Sequence, residues 1–96
     1  MGMALDYDNS LLTVYKNGSA LVTDYDFSSA TTTAKSGNLV TPTVAHYGSG
    51  TVEWNFSSPS FAISSGNTDA NGYGNFEYAV PSGYYALNTK NLAEFG

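Results

Sequence analysis

Residues 2–18 read GMALDYDNSLLTVYKNG, and this stretch sets the fold class. Apolar and polar residues alternate on both sides of the turn-forming segment at 8–10, and a period of two is typical of a β-strand with one buried face. The stretch therefore predicts a β-hairpin over residues 2–16. Asn17-Gly18 predicts a second tight turn, because both residues tolerate a positive φ. A third strand is expected over residues 20–25.

The second half of the chain carries further short runs with strand character. Val52, Trp54 and Phe56 alternate with Thr51, Glu53 and Asn55, which predicts a strand with one apolar face. Other strands are expected at residues 40–47, 61–63, 75–80 and 84–87. Short strands separated by Gly, Asn and Ser turns favour an all-β sandwich or barrel.

Two polar segments without a pattern, residues 28–38 and 64–74, are predicted to be loops, and the second is rich in Gly and Asn. The best helical segment is Thr89–Phe95, which is too short to be stable alone in water. At 96 residues, the chain is expected to form a single β domain over 1–96.

The composition excludes several classes of function. The chain has three lysines, no arginine and a net charge of −5, which is unsuited to nucleic acid or an anionic membrane surface. It has no cysteine, so thiolate zinc sites and disulfides are absent. No apolar run is long enough to span a bilayer. Ser, Thr, Asn and Gly supply 41 of the 96 residues and most of the polarity.

Several segments resemble a known family. Residues 2–18 resemble the middle of a SPRY domain, in which Asp-hydrophobic-Asp precedes a turn and a strand ending in Lys-Asn-Gly. Residues 40–56, which end in Asn-Phe, resemble a later strand pair of that domain. Residues 66–76 look like a linker found in SPRY-like proteins of bacteriophages, particularly marine ones. Residues 81–92 resemble the exit from the same domain, and residues 88–96 are interpreted as an exit segment.

The resemblance implies an antiparallel β-sandwich of the concanavalin-like type, much longer than this chain. We therefore expect a partial sandwich that is completed by association, most simply as a homodimer. The function implied is a non-enzymatic interaction module of a phage structural or tail-associated protein, located in a virion or another extracellular particle. The alternatives are a lectin-like domain that binds a glycan and a fragment of a glycoside hydrolase-like sandwich.

Catalysis is not expected from these residues, and no cofactor is predicted. His46 is the only histidine, and Gly48-Ser49-Gly50 is a plain turn rather than the strained elbow that a nucleophilic serine needs. Acidic pairs hydrolyse glycosides, but the spacing of the glutamates identifies no pair. These glutamates are Glu53, Glu77 and Glu94.

Two clusters of oxygen ligands could hold calcium. They are Asp6, Asp8 and Asn9, and Asp69, Asn71 and Asn75. Neither matches the twelve-residue EF-hand loop. Turn capping is the favoured role of the first cluster, and a cation at Asp69 and Asn71 is left open.

Aromatic residues are abundant, with eight Tyr, five Phe and one Trp. Four of them are predicted to lie in the core: Tyr7, Trp54, Phe56 and Phe61. Tyrosine next to Asn, Ser and Gly is typical of adaptable binding surfaces, although it also suits half-buried strands. The candidate ligand or partner surface consists of Tyr73, Tyr78, Tyr84, Tyr85 and Trp54.

Overall fold

The computed structural model describes residues 1–29 and 41–96. The chain divides into two compact units, Met1–Gly50 and Thr51–Gly96. The single domain over 1–96 stays a prediction. Regular structure in the described residues is mainly antiparallel sheet with one short helix, which is consistent with the all-β class. These residues contain one sheet, so the sandwich also stays a prediction.

The first unit contains a three-stranded antiparallel sheet in the order β1-β2-β3. The strands are β1 Gly2–Asp6, β2 Leu11–Lys16 and β3 Ser19–Asp26. The predicted hairpin and the third strand are thus confirmed. Local chemistry explains both turns. Asn9 donates its backbone N–H and its side-chain amide to the Asp6 carboxylate, at 3.1 and 2.7 Å. Asn17 and Gly18 have φ values of 51° and 80°, as a two-residue hairpin loop requires.

Strand β3 is bulged along its pairing with β2. Its register shifts on each side of the Val14–Val22 pair, and each shift inserts one extra residue into β3. At the first bulge Asp24 has a φ of 49°. Its N–H donates to the Thr13 hydroxyl at 3.0 Å, and that hydroxyl donates back to the Asp24 carboxylate at 3.4 Å. Such bulges twist an edge strand and hinder pairing with a further strand.

The second unit contains little regular structure. Its helix, α1, spans Thr89–Phe95, and an isolated antiparallel bridge joins Asn67 to Phe76. Residues 64–74 form turns around that bridge, so this predicted loop is confirmed. Most of the other predicted loop, 28–38, lies outside the described residues.

The strands predicted at 51–56, 61–63, 75–80 and 84–87 are wrong, and so is the described part, 41–47, of the strand at 40–47. Alternation marks which side chains share a face, but a strand also needs a neighbour that accepts its backbone hydrogen bonds. In the second unit turns and side chains take that role. Ser64 N–H, for example, donates to Glu77 at 2.8 Å, and Asn55 donates its amide to the Asn75 carbonyl at 2.7 Å.

Helix α1 forms in spite of its seven residues because its ends are satisfied. The side chain of Asn88, the N-cap, accepts the Asn91 N–H at 2.8 Å, which is the usual role of an N-cap residue. At the other end the Gly96 N–H donates to the Leu92 carbonyl at 3.1 Å. Side-chain bonds from the rest of the second unit then hold the helix in place.

The described part of the chain has almost no apolar core. Its buried hydrophobic residues are Ala4 and Ala86. The prediction of a core position is wrong for Trp54, Phe56 and Phe61, which are 37–41% exposed, while Tyr7 is half-buried. Within residues 1–29 and 41–96, no helix is both long and apolar enough to cross a membrane.

Candidate functional site

A buried carboxylate organises the second unit. Asp69 is 5% exposed and accepts four N–H groups. Its Oδ1 accepts the backbone N–H groups of Asn71 and Tyr73, both at 2.9 Å. Its Oδ2 accepts the Ala86 N–H at 2.9 Å and the Asn91 side-chain amide at 2.7 Å. One side chain therefore ties the 69–73 turn to residue 86 and to helix α1.

Asn91 completes this arrangement from the helix. It is buried, and its Nδ2 also donates to the Ala86 carbonyl at 2.8 Å. Its Oδ1 accepts the Asn71 side-chain amide at 2.8 Å. The side chains of Asp69, Asn71 and Asn91, together with the backbone groups that they bind, form what we call the Asp69 network. Buried polar groups that are fully satisfied in this way fix a unique local structure.

The Asp69 network keeps its carboxylate ionised. Burial alone would raise the pKa of Asp69, but hydrogen bonds from Ala86, Tyr73, Asn91 and Asn71 stabilise the charged form, and the net effect lowers the pKa below its usual 3.8. A lowered pKa in the folded state means that the carboxylate stabilises the fold at pH values above 3.8. This contribution is lost as the pH falls through the folded-state pKa.

We therefore expect the second unit to lose stability in acid. The amide resonances of Asn71, Tyr73 and Ala86 report on the Asp69 carboxylate directly, because these N–H groups bind it. In an NMR pH titration they should shift together with a midpoint below 3.8, and the urea midpoint of unfolding should fall over the same range. A shared midpoint at or above the usual value would contradict the prediction.

A polar cleft of about 380 Å³ lies beside the Asp69 network, with walls formed by residues 57–58, 72–74 and 88–90. The network holds two of these walls, because Asp69 binds both the 69–73 turn and helix α1. The third wall is joined by Asn88, which donates its side-chain amide to the Ser57 hydroxyl at 2.6 Å. The same asparagine caps the helix, so the cleft is built by bonds internal to the second unit.

The cleft contains one cation. The Lys90 ammonium lies 5.5 Å from the centroid of the Tyr73 ring, and no carboxylate forms an ion pair with it among the described residues. The Tyr73 hydroxyl donates to Glu94 Oε2 at 2.7 Å. This hydrogen bond, with smaller contributions from burial and from the negative charges of Glu94 and Asp69, raises the pKa of Tyr73. Tyr73 is therefore neutral and held in one orientation.

The aromatic residues predicted as a binding surface lie in different settings. Tyr73 lines the polar cleft, Tyr84 is half-buried, and Tyr78 and Tyr85 are exposed. Trp54 stacks on Phe56 with ring centroids 5.5 Å apart and planes at 6°. Of the five predicted residues, Tyr73 is thus the one that belongs to the cleft, and the cleft residues Ser58, Thr89 and Lys90 were missed.

The predicted oxygen clusters behave as capping groups. The Asp6 carboxylate caps its turn through Asn9, as expected. Four N–H groups point at Asp69, and their positive ends occupy the directions from which a cation would approach. Groups of three or more His, Cys, Asp or Glu suited to a metal do not occur in the described residues.

The residues that were considered for catalysis are the glutamates and His46. Glu53 accepts from Ser60 at 2.8 Å, and Glu94 from Tyr73. Hydrogen bonds from the side chain and backbone of Ser64 lower the pKa of Glu77. His46 is exposed. These contacts explain the carboxylates as structural groups, and the absence of enzymatic activity stays a prediction.

The first unit offers a different kind of surface. Residues paired directly across an antiparallel sheet project to the same side, and the register places six apolar side chains on one side. This apolar sheet face consists of Met3, Leu5, Leu12, Val14, Val22 and Tyr25. Four of the six are exposed and the other two are half-buried.

Comparison of the chain with known protein families, with curated proteins and with solved structures finds no match.

Proposed function

We propose that this chain is a non-enzymatic interaction module whose apolar sheet face is covered by a second copy of the same chain. The observation that carries the proposal is the burial pattern: the described part of the chain buries two alanines and leaves its larger apolar side chains exposed or half-exposed. Full burial of a Val, Leu or Met side chain contributes about 1.5–3 kcal/mol. Association of two copies would bury these apolar side chains and so supply the stabilisation that the chain alone lacks.

The face of the sheet is a better contact than its β3 edge. Strand β3 is an edge strand, but it is bulged and carries Asp24 and Asp26, which hinder pairing with another strand. The apolar sheet face, in contrast, carries no acidic side chain, and the charged residue on the same side of β2 is Lys16 at the end of that strand. Two such faces packed about 10 Å apart would form a two-layer sandwich. A two-fold dimer brings identical faces together and forms a closed assembly.

The resemblance of residues 2–18 and 81–92 to SPRY-like phage proteins supports a proposal about the protein to which the module belongs. On this proposal the module belongs to a phage structural or tail-associated protein and acts in a virion or another extracellular particle. A low content of charge, the absence of cysteine and a surface rich in Ser, Thr, Asn and Gly suit that environment. The assembled sandwich would be of the concanavalin-like type that the resemblance implies.

The solution mass tests self-association. We expect wild-type protein at micromolar concentration to sediment as a dimer, and Val22→Lys to sediment as a monomer, because it places a charge among the apolar side chains of the apolar sheet face. Val44→Lys is the matched control. It changes the same residue type at similar exposure, 48% against 44%, outside the sheet.

Two results would overturn the dimer. One is a folded wild-type monomer at micromolar concentration. The other is a Val44→Lys variant that dissociates as readily as Val22→Lys, because the loss would then follow from added charge anywhere on the chain. Circular dichroism of both variants establishes that each remains folded.

A further inference from the structure

We infer that the polar cleft is a binding site for an acidic sugar, that is, a saccharide unit with one carboxylate, and that Lys90 binds this carboxylate. The inference is independent of self-association, because the cleft is built entirely from residues of the second unit.

The first step is that the cleft exists before any ligand binds. Asp69 fixes the 72–74 wall and helix α1 through four hydrogen bonds, and Asn88 attaches the 57–58 wall. A site whose walls are already held in place avoids the entropic cost of ordering them on binding. A small number of ligand contacts can therefore be enough for measurable binding.

The second step concerns the groups that remain unused. Half of the polar side chains around the cleft, those of Ser57, Tyr73 and Asn88, form hydrogen bonds within the second unit. The Ser58 and Thr89 hydroxyls form no hydrogen bond with the described residues, and Lys90 has no ion pair there. The site therefore offers one positive charge flanked by two free hydroxyls. In a chain with a net charge of −5 and three lysines, Lys90, which lies over the Tyr73 ring and has no acidic partner among the described residues, is the group of the cleft that can bind an anion.

The third step distinguishes a sugar from other anions. The cleft, at about 380 Å³, is at the small end of small-molecule sites, which span about 300–1,000 Å³. It fits one sugar ring better than an extended peptide. Free hydroxyls can donate to and accept from the hydroxyls of a sugar. The Tyr73 ring adds an apolar wall to a site that is otherwise polar.

The experiment is an NMR titration of the whole chain with matched ligands. Methyl glucuronide and the methyl glycoside of N-acetylneuraminic acid carry a carboxylate, methyl glucoside is the neutral partner of the first, and acetate is the carboxylate alone. We expect at least one acidic glycoside to shift the amides of residues 72–74 and 89–90 saturably. Methyl glucoside and acetate should each bind at least about tenfold more weakly.

Two lysine variants carry the control. Lys90→Met should weaken binding of the acidic glycoside at least about tenfold, and Lys16→Met, which removes the same charge from strand β2, should leave it unchanged. Ser58→Ala should weaken it about threefold. Unshifted amide spectra away from the cleft show that the variants remain folded.

Four results would each overturn the inference. Absence of saturable shifts at the cleft with both acidic glycosides removes the site. Equal affinity for methyl glucuronide and methyl glucoside removes the role of the carboxylate. Acetate binding as tightly as the glycosides reduces the cleft to a general anion site. Equal losses in Lys90→Met and Lys16→Met show that the net charge, rather than the cleft, determines binding.

Discussion

Asp69→Asn should destabilise the second unit by about 3 kcal/mol, a large share of the stability of a small domain. Asparagine keeps the size of the side chain but replaces one oxygen by an NH₂ group. Whichever way the amide is oriented, two of the four N–H groups now bound to Asp69 lose their acceptor. The NH₂ group then faces other donors, and each buried donor left without a partner costs about 1–3 kcal/mol.

Urea unfolding followed by the fluorescence of Trp54, the only tryptophan of the chain, measures this loss. Asp8→Asn is the matched control, because it removes the same charge from an exposed turn residue and should change stability by less than about 0.5 kcal/mol. If the two variants unfold at the same urea concentration, the hydrogen bonds around Asp69 contribute little and the effect is one of net charge.

Asp69→Asn should also remove the polar cleft, because the hydrogen bonds of Asp69 that stabilise the second unit also hold two walls of the cleft. Stability and binding are therefore coupled in the second unit. Asp69→Asn should cause loss of the ligand-induced shifts at residues 72–74, whereas Lys90→Met should weaken ligand binding without changing the urea midpoint. This contrast separates a residue that builds the cleft from one that lines it.

The parts of the fold that sequence predicts well are those determined by neighbours in the chain. The hairpin over 2–16 follows from alternation and a turn whose Asp6–Asn9 cap spans three residues. The Asn17-Gly18 turn follows from the φ values that these two residues tolerate. Helix α1 coincides with the best helical segment of the sequence, 89–95, but that segment alone is too short to be stable as a helix, and its capping by Asn88 was not predicted.

The second unit could not be predicted in the same way because its contacts are distant in sequence. Asp69 meets Ala86 and Asn91 across 17 and 22 residues, and no local pattern specifies which polar groups will pair. Alternation at 51–56 placed Trp54 and Phe56 on one side, where their rings do stack. It gave no information on whether another strand lies beside them, and so the predicted strand was wrong.

Lys90 was missed as a site residue for a related reason. Its importance comes from the cleft around it, and the cleft is formed by three segments that are far apart in sequence. Tyr73 was found because aromatic residues next to Asn and Gly are a recognisable sign of a binding surface. A single lysine in a polar sequence carries no such sign.

Gly74→Ala is expected to destabilise the second unit about as much as Asp69→Asn. Gly74 has a φ of 101°, and a Cβ at this position would overlap Cε2 of the Phe76 ring. The ring would have to move, while the backbone of Phe76 is held by two hydrogen bonds of 2.8 Å to Asn67. We expect this crowding to cost about 1–3 kcal/mol beyond the backbone strain of about 1–2 kcal/mol that any alanine with such a φ carries.

Gly83→Ala isolates the backbone strain. Gly83 has a similar φ of 85°, and a Cβ there would meet no atom within 4 Å. The difference in urea midpoint between the two alanine variants then measures the effect of crowding on stability. It should vanish when the pair is repeated in a Phe76→Ala background, because the ring that causes it is absent. A Gly74→Ala variant that is no less stable than Gly83→Ala would mean that the Phe76 ring moves freely. The 72–74 wall of the cleft would then not be fixed, although the acidic-sugar site requires a fixed wall.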